Sequence, residues 1–157
     1  MPVSPSLTSP PVGATLGLLV VLAQSLSGQA INTDAQGNAL YGYDVVAYQT
    51  LERATMGSPD FTLTHDGVVY QFASAEHRAL FQEDPARYLP AYGGYCAYGV
   101  ANGYKVKVDP DAFTVVEGRL YINYSQSIKK RWLKDPAGYV ERADRNWTTL
   151  VDAPRKD

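Results

Sequence analysis

Two side chains in the body of this sequence could do soft-ligand or thiol chemistry: Cys96, the only cysteine, and His77. His65 sits at a turn signal and Met56 in a predicted loop, so neither joins them. As a pair, Cys96 and His77 offer a metal two protein ligands. A structural zinc site takes four and a catalytic one three, so zinc would need an added carboxylate. Copper(I) accepts fewer and softer ligands and matches the pair better. Cys96 as a nucleophile would need a base within reach, and His77 is the residue that qualifies. No further triad signature, phosphate-binding glycine loop or dinucleotide fingerprint is present. The expectation is therefore binding without catalysis. The plainer alternative has Cys96 as a buried small apolar residue and His77 as a satisfied core or boundary histidine.

A second candidate is the stretch from Tyr92 to Tyr104. Gly93, Gly94, Gly99 and Gly103 let the backbone turn closely, and Tyr92, Tyr95, Tyr98 and Tyr104 supply aromatic faces and hydroxyls. Such a stretch can line a pocket for a small organic or cationic ligand without any metal. It can equally be a connection whose tyrosines fill a seam, making the protein a structural or interaction module.

These residues are positioned by a repeat. The stretch from Gly67 to Tyr88 recurs 51 residues later, from Gly118 to Tyr139. Ser74, Asp84-Pro85 and Tyr88 meet Ser125, Asp135-Pro136 and Tyr139, and Phe81 meets Trp132. In the first copy, Phe61–Thr64 and Val68–Phe72 flank His65-Asp66-Gly67, which predicts a hairpin. Ser74 can cap a helix over 75–83, stopped by Asp84-Pro85. The second copy predicts strands at 113–116 and 120–124 and a helix over 126–134. Apolar residues at helical spacing predict a last helix over 139–150. Two such units sharing one core give an α+β class.

The offset also places His77 opposite Ile128, four residues before Phe81 and Trp132. Positions i and i+4 share a helix face, so His77 is expected to point inward.

The expected organisation is a flexible segment at 31–40 and one domain at 41–150, followed by a solvated tail at 151–157. Within the domain, unit one covers 61–88, a linker 89–111 and unit two 112–139. Residues 1–30 contain no Asp, Glu, Lys or Arg, and Val12–Ala23 is nearly all apolar or small. With Gly28-Gln29-Ala30 behind it, this run reads as a removable export signal, or else as a disordered start. Its apolar length is short for a bilayer span, so no permanent membrane anchor is expected. The localisation implied is periplasmic or secreted. The formal net charge of −2 argues against a nucleic-acid partner. A single cysteine in an exported chain cannot form an internal disulfide.

The run Val69–Arg78, with Phe81 and Asp84-Pro85-Ala86-Arg87-Tyr88, resembles the core of the YHS domain family. Tyr41–Tyr48, Tyr92–Tyr98 and Asn123-Tyr124-Ser125 resemble an exported, stand-alone branch of it. The resemblance implies a small α+β module, often regarded as heavy-metal binding. Metal-binding members carry cysteines at positions matching Ala47 and Ala73 here. Alanine has no lone pair to offer, so the usual thiolate site cannot be built there. The reading this leaves is a YHS-type binding protein that handles a copper-like metal in the periplasm, or a small-ligand binder with no metal.

Overall fold

The structure, a computed structural model, describes residues 30–157 and, ahead of them, residues 2, 3, 5 and 9. The expected export signal lies outside the described residues. In chain order the elements are α1 (Ala47–Thr50), β1 (Ser58–His65), β2 (Val68–Phe72), α2 (Ala75–Glu83), α3 (Pro85–Tyr88), α4 (Ala97–Ala101), β3 (Phe113–Val116), β4 (Arg119–Ile122), α5 (Gln126–Trp132) and α6 (Pro136–Leu150). Strands β1 and β2 form one antiparallel pair and β3 and β4 another. The class is α+β.

Each repeat copy folds for the same local reasons. Both hairpin corners hold two successive residues at positive φ, Asp66 at 47° with Gly67 at 79° and Glu117 at 51° with Gly118 at 76°. A two-residue turn must adopt that geometry to follow the twist of its strands, and glycine adopts it without steric cost. Ser74 Oγ then accepts the His77 amide at 3.1 Å, and Ser125 Oγ accepts the Ile128 amide at 3.2 Å. Each serine satisfies an otherwise unpaired donor at a helix start.

The last helix begins at Pro136, three residues ahead of the expected 139. Asp135 Oδ1 accepts the Gly138 amide at 3.1 Å, and proline suits the first helical turn. Asp-Pro thus ends one helix and opens the next, as Asp84-Pro85 also does for α3. Helix α5 correspondingly ends at Trp132, short of the expected 134.

Strand β4 joins the two halves of the core. Leu120 and Ile122 face a cluster with Tyr48, Phe72 and Phe81, whereas Tyr121 faces one with Tyr92, Trp132 and Ala143. Alternation along a strand sends successive side chains to opposite faces, so a continuous apolar run fills both clusters. His65, beside the first hairpin corner, packs edge-on against Phe81 with ring centroids 5.5 Å apart.

Residues 31–40, expected to be flexible, pack against the linker. Asn32 is fully buried, and its amide donates to Gly93 O at 2.8 Å. Gly93 holds φ +61°, and a Cβ there would lie 1.8 Å from Ala30 O, so this crossing requires glycine. The tail also folds back: Lys156 N donates to Lys105 O and Asp157 Oδ2 accepts from Lys107 N, both at 2.9 Å. Lys105 is itself buried, with Nζ donating to Val151 O and lying 4.7 Å from the Tyr95 ring centroid. Among the described residues no helix is long and apolar enough to cross a membrane.

Burial of the aromatic core makes stability alkali-sensitive. It pushes the Tyr70 phenol up to about 12 and raises those of Tyr48 and Tyr92 as well. In the unfolded chain these phenols ionise near pH 10, so the stability they confer is intact below about pH 10 and lost as pH rises through their folded values. Ultraviolet titration should show these tyrosines ionising only as the fold is lost. Ionisation near pH 10 with the fold retained would contradict their burial.

Candidate functional site

The segment from Cys96 to Tyr104 wraps around a cavity. Cys96 caps α4, its Sγ accepting the Gly99 amide at 3.4 Å, and its thiol faces Asn123 Oδ1 at 3.7 Å. Asn123 Oδ1 also accepts the Tyr98 amide at 3.0 Å, so one buried side chain anchors both the thiol and the start of α4. Gly99 permits the return of the chain, because a Cβ there would lie 3.1–3.2 Å from Tyr104 and Val106. The result is a cavity of about 310 Å³, lined by Cys96, Tyr98, Tyr104, Val106, Tyr124, Ile128 and Asp157. Burial pushes the Cys96 thiol up, against smaller opposing contributions from backbone hydrogen bonds, and so keeps it protonated.

Cations surround this cavity. Arg131 lies 5.8 Å from the Tyr98 ring centroid, Lys156 5.6 Å from that of Tyr104 and Lys107 6.0 Å from that of Tyr124. The Asp157 carboxylate is engaged by the Lys107 amide and by Arg155 Nε, each at 2.9 Å.

The four tyrosines of the segment divide. Tyr98 and Tyr104 line the cavity, whereas Tyr92 and Tyr95 fill the seam beneath α6, where both rings meet Trp147. Tyr92 donates its hydroxyl to Asp144 Oδ1 at 2.9 Å, and Tyr95 donates to Ile31 O at 3.4 Å.

His77 points inward, as its pairing with Ile128 predicts, and its side chain is 12% exposed. Its partners were not foreseen. Asp44, fully buried, accepts His77 Nδ1–H on Oδ2 at 2.6 Å and the Ala73 amide on the same oxygen at 2.9 Å. Its other oxygen accepts the amides of Val46 at 2.8 Å and Ala47 at 3.2 Å. On the far side of the imidazole, Nε2 lies 3.2 Å from the Oγ1 of exposed Thr50, which also donates to Val46 O at 3.1 Å. Ala47 and Ala73, where the YHS resemblance would place cysteines, thus meet at one carboxylate.

The residues present do not fit a soft ion shared by Cys96 and His77. Both ring nitrogens of His77 are engaged by Asp44 and Thr50, Cys96 is held by Gly99 and Asn123, and the two side chains have no partner in common. The raised thiol disfavours the thiolate that a metal would bind. Among the described residues no three His, Cys, Asp or Glu side chains are grouped as a metal site requires.

Comparison with known families, curated proteins and solved structures found no match to this chain. The functional reading therefore rests on the geometry of the site.

Sequence reasoning missed Asp44, Thr50 and Asn123 as site residues. Asp44 and Asn123 lay within quoted motifs, but nothing local marks a carboxylate that closes on a histidine 33 residues away.

Proposed function

We propose that this protein is an exported, YHS-type binding protein whose cavity beside Cys96 holds a small, mainly apolar organic molecule with an acidic end. The observation that carries this reading is the pairing of an aromatic cavity of about 310 Å³ with cations over its three tyrosine rings. Apolar walls favour burial of the ligand body, and the three cations at the tyrosine rings, set against the one Asp157 carboxylate in the lining, favour an anionic head. The cavity binds and does not catalyse, since a protonated, buried thiol is a poor nucleophile. Export is supported by the uncharged, apolar run within residues 1–30. The YHS-type reading is supported by the convergence of Ala47, Ala73 and His77 on Asp44.

Thermal denaturation with cinnamate and with the uncharged cinnamamide tests it. Cinnamate at 100 times its dissociation constant adds about 2.7 kcal/mol of stability to a protein that binds it only when folded. The amide should bind more weakly, and Val106→Phe, which fills the cavity, should abolish the gain from either compound. Equal stabilisation by both compounds overturns the acidic head alone. No stabilisation by either compound, or gains unchanged in the Val106→Phe variant, overturns the cavity.

A further inference from the structure

A carboxylate, an imidazole and an exposed hydroxyl follow one another within hydrogen-bond distance at Asp44, His77 and Thr50. Asp44 Oδ2 lies 2.6 Å from His77 Nδ1, and His77 Nε2 lies 3.2 Å from Thr50 Oγ1. This is the order of groups by which a base orients and activates a hydroxyl nucleophile, a constellation recognised by geometry and not by chain order. Asp44 accepts backbone amides on both oxygens, so it is an acceptor and holds the proton of His77 on Nδ1. Nε2, the other ring nitrogen, faces Thr50 Oγ1.

The Thr50 hydroxyl has one proton and two acceptors, His77 Nε2 and Val46 O. Donation to Nε2 suits a neutral ring; donation to Val46 O suits a ring that already carries a proton on Nε2. Those two patterns correspond to the protonation states a base passes through. Access is provided by the surface itself, since Thr50 is exposed.

We propose that Thr50 is an acyl-accepting nucleophile, with His77 as its base and Asp44 as the positioning residue, acting on small activated esters. Thr50 Oγ1 forms a bond to the ester carbonyl carbon while Nε2 takes the hydroxyl proton. The bond from that carbon to the leaving oxygen breaks, and Nε2 returns the proton to the departing alcohol. Water then attacks acyl-Thr50, giving a proton to Nε2; the acid is released and Nε2 restores the Thr50 hydroxyl. This inference is independent of ligand binding at Cys96. Sequence reasoning weighed only Cys96 as a nucleophile for His77, because Thr50 belongs to no motif.

The full chain, incubated with 4-nitrophenyl acetate, should release nitrophenol in a burst and carry an acetyl group that peptide mass mapping places on Thr50. Thr50→Ala should abolish the burst, because the acyl-enzyme that produces it cannot form. It should leave the melting temperature within a degree or two, since Thr50 is exposed. Thr50→Ser should keep the acetylation. His77→Gln should lose it and keep cinnamate binding. Acetylation confined to lysines, or a burst unchanged in Thr50→Ala, overturns the proposal and leaves the cluster a structural clasp.

Discussion

Replacing Asp44 by alanine is expected to destabilise the protein by about 3 kcal/mol or more, since each buried donor left unpaired costs about 1–3 kcal/mol. Three donors lose their acceptor at once, the amides of Val46 and Ala73 and His77 Nδ1–H, while the Ala47 amide keeps the Asp44 carbonyl at 3.2 Å. A buried donor left unpaired forfeits its hydration without compensation, which is why the loss exceeds the worth of any one bond. Asp44→Asn should fall between wild type and alanine, because its remaining oxygen can still serve Val46 and Ala47 while its amide nitrogen confronts two donors. Both variants should lose acylation at Thr50. Denaturant titration with circular dichroism checks the ranking; an alanine variant as stable as wild type would contradict the role given to Asp44.

Replacing Trp132 by alanine should cost a comparable amount, about 3–5 kcal/mol, from lost burial and the void left behind. Trp132 is fully buried, with its ring centroid 5.2 Å from that of Tyr121. Phe81, its counterpart in the first unit, is fully buried against Tyr70 and Phe72. Because β4 supplies Leu120 and Ile122 to one cluster and Tyr121 to the other, the two clusters should melt together. Trp132→Ala and Phe81→Ala are therefore each expected to lower one cooperative transition, by about 10 °C or more. Two separate transitions in either variant would show that the units do not share a core.

The parts of the fold that were legible in the sequence are those specified locally. Asp66-Gly67 and Glu117-Gly118 announce their corners by the φ values they must adopt, and Ser74 and Ser125 announce helices because each pairs with an amide three residues on. Helices α1 and α4, of four and five residues, are too short to show a period, and neither was anticipated. The candidate site was half legible. Cys96, Tyr98 and Tyr104 drew attention by type and spacing and do meet at one cavity, whereas Tyr92 and Tyr95, of the same spacing, became core. The difference is decided by α6, whose Trp147 covers one pair and leaves the other, and no local pattern encodes that docking. The partners of His77 were invisible for the same reason, since Asp44 lies 33 residues away and on the far side of the first hairpin in the chain.

The central claim is that the cavity beside Cys96 takes a small anionic, apolar ligand. Titration of isotope-labelled protein with cinnamate, followed by amide and aromatic side-chain resonances, tests it most directly. The expected result is saturable shifts confined to Cys96, Tyr98, Gly99, Tyr104, Val106 and Tyr124. Shifts centred instead on the cleft lined by Arg87, Tyr92 and Arg119, or no saturable shift at all, would contradict it.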